Sequence, residues 1–397
     1  MQEGDMPKVR TIQYRTILNS HVRFTTEFIL RLEDGSTGTG AAPQGETISI
    51  YEDRKVSITP ETIIQAIQND GIMGKSISQV EFDQYLQQNI STFGRNNAYS
   101  LSLAFFNAER QTRSAFELFD RQPSQLRPPR LCLNILNGGW HAYTNPVLSD
   151  FSEFMLVAKS DDIQEVIGEH NKIQKAVKAR LNTQTKTVVS GNPVNIFSKK
   201  DNRAPIEFLL DTVESLGLSG KYDLMIDASA GDLWTPEGYR LAITDNSTYS
   251  SEQFMEYWKG LIREYHLRFL EDPFREQDAE TWRALTTSQE DVIVIGDNYY
   301  SSSAERIEIG AAGHHTHAAI IKPNQAGTIT ATRRAVEAAQ HTGQIVITSH
   351  RSISTEETFI SLLTCMVGAQ YIKIGPLETD YSSVVRLNEI IRLTEPL

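Results

Sequence analysis

Short apolar runs recur along the second half of the chain, and each ends in an acidic residue, a lysine or a histidine. The ends fall at Asp227, Glu271, Asp297, Lys322, His350 and Lys373. The intervals between consecutive ends are 44, 26, 25, 28 and 23 residues. A strand and its return helix occupy roughly 25–35 residues in an α/β barrel. The pattern therefore predicts parallel strands that alternate with helices, with an added segment around residues 235–246 in the longest interval.

The first 130 residues show a different sequence pattern. Residues 9–18 and 25–37 are rich in β-branched side chains and predict two strands, the second ending in the turn dipeptide Asp34-Gly35. The glycine-rich stretch 38–54 predicts a mobile loop, and residues 59–119 predict helices. The proline-rich stretch 122–130 interrupts this pattern. We therefore predict a smaller α+β domain over residues 1–130 and an α/β barrel over residues 131–397.

Composition excludes several classes of protein. Of the 397 residues, 40% are hydrophobic, and the formal net charge is −12 without a long Lys/Arg run, which argues against a nucleic-acid partner. Apolar runs fall short of the ~20 residues that span a bilayer, and the N-terminus lacks the apolar core of a signal peptide. The two cysteines, Cys132 and Cys365, stand in apolar runs and predict buried free thiols. These features predict a cytoplasmic protein without a membrane partner.

Three acidic residues at the predicted strand ends favour a metal site. Active sites of α/β barrels form at the carboxyl ends of the strands, where a buried charge can meet a partner. Asp227, Glu271 and Asp297 supply hard oxygen ligands from three strands. Mg²⁺ prefers such ligands and completes its octahedron with water and substrate oxygens.

Two lysines and an arginine complete the predicted chemistry. Lys322 and Lys373 end later strands, and two ammonium groups near each other and near a dication disfavour each other's charge. We expect a lysine there to have a lowered pKa and to remove a proton α to a carboxylate, with the metal stabilising the enolate. Arg351 and Ser352 offer a planar fork and a hydroxyl to a phosphate. An ordinary turn with a surface arginine is the alternative for these two.

Several stretches match motifs of one family in order and spacing. They are NSHVRFTTEF and FGRNNAYSLSLA near the start, followed by LNILNGGWHA, SEFM, FLEDPF, IIKPNQAGT, SHRSISTEETF and QYIKIGP. The sequence resembles the enolase family over nearly its whole length, most strongly from residue 265 onward. The resemblance implies a mixed N-terminal domain, a TIM-like (β/α)8 barrel of enolase type, a homodimer and two Mg²⁺ ions.

The resemblance also implies roles for individual residues. By position, Asp227, Glu271 and Asp297 would hold the first metal ion, and Thr47 could ligate the second. The substrate would be a small phosphorylated three-carbon acid. The residues implied to act on it are Lys322 as the base, Lys373 for its carboxylate, Arg351 and Ser352 for its phosphate, His350 and His141 closing around it, and Glu153 as one of two acidic residues that handle the leaving hydroxyl.

The second of those acidic residues is absent. The matching position is Asn192 or Pro193, and no Asp or Glu stands between Glu169 and Asp201. A positioned general acid contributes about 10²–10⁴-fold to a rate, so its loss should impair expulsion of hydroxide and spare α-proton removal. The segment PQGETIS at 43–49 also departs from the family's lid loop, as do Trp140 and Asn298 at their positions.

These departures favour a specialised relative over ordinary phosphopyruvate hydratase. Enolase-like proteins of phosphonate and phosphinate biosynthesis include carboxyphosphonoenolpyruvate synthase, which joins a phosphonoformyl group to an enolpyruvate unit. Such a reaction needs no hydroxide-expelling acid but needs room for a second, phosphonate-bearing substrate. Two alternatives stay open: hydratase activity with another group replacing the acid, and an inactive enolase-like scaffold protein. The intact set of three carboxylates and two lysines argues against the scaffold.

Overall fold

The computed structural model describes residues 6–45, 49–52, 56–141 and 144–395. The N-terminal part is an antiparallel sheet in the order β1-β2-β3, followed by helices. Its elements are β1 Val9–Leu18, β2 Phe24–Leu32, β3 Thr37–Ala41, α1 Pro60–Asn69, α2 Gln79–Gln88, α3 Ile90–Phe93, α4 Arg95–Glu109, α5 Ala115–Phe119 and a 3₁₀ turn at Pro123–Gln125.

The predicted loop 38–54 is wrong at its start, where β3 runs to Ala41. Gly38 and Gly40 place this strand directly against α4. A Cβ at Gly38 would lie 2.1 Å from the backbone oxygen of Ala104, and one at Gly40 would lie 2.1 Å from that of Ser100. The glycines that suggested a loop therefore permit close strand–helix packing. Residues 46–48 and 53–55 of the predicted loop lie outside the described residues.

The remaining strands and helices begin at Arg130. The strands are β4 Arg130–Gly138, β5 Pro146–Val147, β6 Glu153–Ala158, β7 Thr185–Val189, β8 Asn192–Ile196, β9 Tyr222–Asp227, β10 Trp234–Thr235, β11 Gly238–Arg240, β12 Thr248–Tyr249, β13 Phe269–Glu271, β14 Ile293–Gly296, β15 Ala318–Ile321, β16 Ile345–Ser349 and β17 Tyr371–Ile374. The helices are α6 Ile163–Leu181, α7 Arg203–Ser215, α8 Ser251–Tyr265, α9 Ala279–Ser288, α10 Ala304–Ala312, α11 Pro323–Ala326, α12 Ile329–His341, α13 Phe359–Val367 and α14 Tyr381–Thr394, with 3₁₀ turns at Gly139–His141 and Ala230–Leu233.

Eight of these strands close into the predicted barrel. Their order is β4-β6-β9-β13-β14-β15-β16-β17, and β17 pairs with β4. The added segment predicted in the longest interval is the small sheet β10-β11-β12. The prediction of parallel strands fails at β6, which is antiparallel to both β4 and β9. The connection from β4 to β6 contains no α-helix in its described residues, and a parallel return needs such a crossover.

The period of two along each strand separates the barrel interior into layers. Met225, Phe269 and Ile295 belong to an apolar cluster inside the barrel. Two residues further along the chain stand Asp227, Glu271 and Asp297, which therefore point to the same interior one layer nearer the mouth. Because β6 runs in the opposite direction, its first residue lies at this mouth, and Glu153 pairs in register with Asp227.

Two further expectations can be compared with the fold. Cys132 and Cys365 are buried free thiols, as predicted. Among the described residues, none of the helices combines the length and apolarity required to cross a bilayer.

The packing of β3 on α4 predicts the effect of one substitution. We expect Gly40→Val to lower the free energy of unfolding by roughly 1–3 kcal/mol, because its side chain would overlap backbone atoms of α4. The matched control is Gly260→Ala in α8, where a Cβ meets nothing within 4 Å. Chemical denaturation measures both. Equal stability of Gly40→Val and the wild type would contradict the close packing.

Candidate functional site

The predicted site residues gather around one cavity at the mouth of the barrel. The cavity has a volume of about 340 Å³. Its walls include most of the residues predicted from the sequence, namely His141, Glu153, Asp227, Asp297, Lys322, His350, Arg351, Ser352 and Lys373. Glu271 lies directly beneath, fully buried. Thr47, the predicted ligand of a second metal, lies outside the described residues.

Lys373 occupies the centre of an acidic cluster. Its Nζ lies 2.9 Å from Asp227 Oδ2, 2.8 Å from Glu271 Oε2 and 2.8 Å from Glu153 Oε2. Each partner has further support, since Ser229 donates from N and Oγ to Asp227 Oδ1 and Asn134 donates to Glu153 Oε1. Carboxylates from three adjacent strands thus converge on one ammonium group.

The titration of this cluster differs from the prediction. Burial works to lower the pKa of Lys373, but the attraction of Asp227, Glu153 and Glu271 outweighs it, so the pKa lies well above its ordinary value. The sequence predicts a lowered pKa for a lysine beside a dication, whereas the shift is upward for Lys373, which carboxylates surround. Burial, and then repulsion by Asp227, raises the pKa of Glu271 well above its ordinary value.

Lys322 and Asp297 form a second ion pair at the mouth. Lys322 Nζ donates to Asp297 Oδ2. Asp297 follows β14 directly, and its loop is held by Asp272, which accepts the backbone N–H groups of Asp297 at 3.0 Å and Asn298 at 2.7 Å. Burial, and then repulsion by Asp297, raises the pKa of Asp272 well above its ordinary value. Asp272 therefore orients the neighbouring carboxylate.

The donor set at the mouth fits a hard divalent cation. Four carboxylates, those of Glu153, Asp227, Glu271 and Asp297, face the ammonium groups of Lys322 and Lys373, which leaves an excess of negative charge. Asp297 Oδ1 is buried and has no hydrogen-bond partner among the described residues. Within this part of the chain, no three acidic, histidine or cysteine side chains are disposed as a ready metal-binding group. Common ligation of one ion by Asp227, Glu271 and Asp297 therefore stays a prediction.

Cationic and polar groups that follow β16 also line the cavity. Arg351 is only 5% exposed, and its Nη1 lies 3.1 Å from Glu52 Oε2. Ser352 and the half-buried His141 also line the cavity. Burial, and then the nearby cations Arg386 and Lys373, lowers the pKa of His350 well below its ordinary value. His350 is thus a neutral imidazole at pH 7.

The position of the missing acid is separate from this cavity. Asn192 and Pro193 begin β8 and pair with Val189 and Val188 of β7 in a hairpin. Neither residue lines the cavity. The hairpin packs on the loop after β4, where a Cβ at Gly139 would lie 3.0 Å from Val189.

Sequence reasoning missed three residues with clear roles in the geometry. Asn134 supports Glu153, and its signal was present in the stretch LNILNGG. Asp272 stands beside Glu271 at the end of the same apolar run, but the pattern gave it no role of its own. Glu52, the partner of Arg351, carried no signal, because nothing in its neighbourhood predicts that it reaches a residue 299 positions away.

Comparison with known proteins agrees with this geometry. A family model described as the C-terminal TIM barrel domain of enolase matches residues 126–397. The chain belongs to the enolase family. It is similar to the protein named Enolase from Legionella pneumophila (strain Lens), with 28% identity over 414 aligned positions that cover 97% of each chain. The predicted family and barrel are thus confirmed, and membership indicates an enzyme of lyase type.

The Lys373 cluster predicts a large effect on stability. Lys373→Met leaves Glu153, Asp227 and Glu271 buried without their shared cation, and breaking a buried pair costs about 3–5 kcal/mol. We expect a loss of this size in the metal-free protein by urea denaturation. Lys159→Met is the matched control, because Lys159 pairs with Asp223 at 3.1 Å on the surface, where a pair contributes about 0–1 kcal/mol. Equal effects of the two substitutions would contradict the cluster.

The neutral state of His350 predicts a dependence on pH. Because the folded protein lowers the pKa of His350, the unfolded chain takes up this proton first as the pH falls. Stability from this group is present above pH ~6.5 and decreases as the pH falls below it. We expect His350→Asn to lose correspondingly less stability than the wild type between pH 7.5 and 5.5. Parallel pH profiles of the two proteins would contradict a neutral His350.

Proposed function

We propose that this protein is a Mg²⁺-dependent enzyme that binds a small phosphorylated three-carbon acid and forms its enolate. The substrates we propose are of the 2-phosphoglycerate or phosphoenolpyruvate type. The observation that carries the proposal is the convergence of Glu153, Asp227 and Glu271 on Lys373, in a cavity that Lys373 shares with Arg351. We also propose a cytoplasmic homodimer, with two ions in each site.

The residues divide into three groups in this proposal. Asp227, Glu271 and Asp297 would hold Mg²⁺, which supplies electrostatic stabilisation to developing negative charge on a substrate carboxylate. Lys373 stays protonated and binds the carboxylate. Arg351 and Ser352, which line the same cavity, bind the phosphate. A three-carbon acid held at both ends is thereby fixed in orientation.

Lys322 is the proposed base. Its Nζ pairs with Asp297, and Lys322 lines the same cavity as Arg351 and Lys373. To accept a proton, Lys322 must first be neutral, which requires that Asp297 be engaged elsewhere.

The reaction that follows proton removal is the point at which the chain departs from its family. Glu153 is present, whereas the second family acid has no counterpart on the β7–β8 hairpin. Hydroxide leaves poorly without a positioned acid. We therefore propose a specialised reaction of the carboxyphosphonoenolpyruvate synthase type, with a second, phosphonate-bearing substrate, as in phosphonate or phosphinate biosynthesis.

The second candidate is ordinary phosphopyruvate hydratase. It is favoured by the protein named Enolase that aligns with 97% of this chain. It requires another group to protonate the leaving hydroxyl. An inactive scaffold is the third candidate, and the paired lysines and carboxylates argue against it.

Proton exchange at C2 of 2-phosphoglycerate tests the proposal. The protein is incubated with Mg²⁺ and 2-phosphoglycerate in D₂O and followed by NMR. We expect exchange at C2 with little phosphoenolpyruvate, and a loss of exchange of at least ~10²-fold in Lys322→Ala.

Other outcomes of this experiment favour the alternatives. Rapid formation of phosphoenolpyruvate would favour the hydratase. Absence of both exchange and Mg²⁺-dependent ligand binding would favour the scaffold. An unchanged exchange rate in Lys322→Ala would exclude Lys322 as the base.

A further inference from the structure

A short segment of the N-terminal part, residues 49–52, crosses to the mouth of the barrel. Ser49 Oγ donates to the backbone oxygen of Asn298 at 2.9 Å. The guanidinium carbon of Arg306 lies 4.3 Å from the centre of the Tyr51 ring. The segment is thus held at two points. Its last residue, Glu52, reaches Arg351, the proposed phosphate ligand.

Glu52 bridges two buried donors. Its Oε2 lies 3.1 Å from Arg351 Nη1, and its Oε1 accepts a hydrogen bond of 3.0 Å from Gln325 Nε2. The side chains of Glu52 and Arg351 are 11% and 5% exposed. At this depth a charged pair is screened little by solvent, so the contact constrains the guanidinium strongly.

The contacts continue from Glu52 to the segment of the proposed base. Gln325 Oε1 accepts from Ser302 Oγ at 2.9 Å, and Ser302 Oγ accepts from the backbone N–H of Lys322 at 2.8 Å. Gln325 and Ser302 are each 1% exposed. A continuous path of hydrogen bonds therefore runs from Arg351 through Glu52 to the backbone of Lys322.

The backbone N–H of Ser49 also donates to Glu52 Oε1 at 3.3 Å, and only a carboxylate can accept from Arg351 on one oxygen and from Gln325 on the other. A carboxylate accepts on both oxygens, whereas an amide accepts on one and donates on the other side. The backbone of Gly45 lies close to Nη2 of the same guanidinium, since a Cβ at Gly45 would lie 1.6 Å from this atom of Arg351. Arg351 is thus held from more than one direction before any ligand binds.

We infer that Glu52 is a positioning residue that fixes the guanidinium of Arg351 for an incoming phosphate and ties it to the segment that carries Lys322. This inference rests on the proposed function, because it gives Arg351 an anion to bind. Glu52 acts through Arg351 and does not itself contact the substrate. The N-terminal part thereby contributes to anion recognition in the barrel.

Glu52→Gln tests the inference, because it keeps the size of the side chain and removes one of its two acceptors. A hydrogen bond to a charged group contributes about 1.5–3 kcal/mol, so we expect inorganic phosphate to bind about 10-fold or more weakly by calorimetry. We expect KM for C2 exchange of 2-phosphoglycerate to rise similarly, with kcat within about threefold of the wild type. In an Arg351→Met background, Glu52→Gln should have no further effect on phosphate affinity.

A readout without ligand separates this inference from the proposed function. We expect backbone hydrogen exchange of residues 322–327 to be faster in Glu52→Gln, because the path to Lys322 is broken. Glu33→Gln, at an exposed site in the turn between β2 and β3, is the matched control and should match the wild type in every assay.

The outcomes are distinguishable. Unchanged or tighter phosphate binding by Glu52→Gln, when the wild type binds phosphate, would overturn the positioning role. If the wild type binds no phosphate and exchanges no proton, the proposed function fails, and the inference that Arg351 is positioned for an anion fails with it. Faster hydrogen exchange of residues 322–327 in Glu52→Gln would then still support the structural tie, and unchanged exchange would exclude it.

Discussion

The shared ion pair of Lys373 with the acids of adjacent strands is the contact on which the site depends. Burying several carboxylates together is unfavourable unless a cation offsets their repulsion. The barrel provides that cation on β17, which closes the sheet, and provides the acids on β6, β9 and β13. Charge balance at the mouth therefore depends on closure of the barrel, in which β17, the last strand, pairs with β4, the first strand of the barrel.

This arrangement links the metal-free protein to its proposed chemistry. In the structure, ammonium groups contact the oxygens that would hold Mg²⁺, so ion binding and release of Lys373 towards a substrate carboxylate are alternatives for the same atoms. Glu52 differs from these carboxylates, since its contact with Arg351 holds the guanidinium in place for a phosphate. The charged side chains of the site, such as Lys373 and Arg351, therefore already form ion pairs, and these ion pairs hold them in position.

Much of this architecture could be predicted from the sequence, for physical reasons. The spacing of strand ends such as Asp297 and Lys322 reflects the length of a strand–helix unit, and barrel topology brings such ends to one mouth. The direction of β6 was not predicted, because the apolar pattern of Glu153–Ala158 is the same for a parallel and an antiparallel strand. The direction follows from the connection between β4 and β6, whose described residues contain no α-helix. The strand at Gly38 and Gly40 was missed because close packing and loop formation both favour glycine. The role of Glu52 depends on a contact distant in sequence, which no local pattern encodes.

In the proposed assignment, the departures from the family include the missing acid and the segment at 43–49, whereas the acids and lysines at the mouth of the barrel are present. Such a division fits an enzyme that keeps enolate formation and changes the step after it. The most direct test of the central claim is a crystal structure of the protein grown with Mg²⁺. The account predicts an ion bound by Asp227, Glu271 and Asp297, with Lys373 withdrawn from these carboxylates. An ion bound elsewhere, with Lys373 still among the carboxylates, would contradict it.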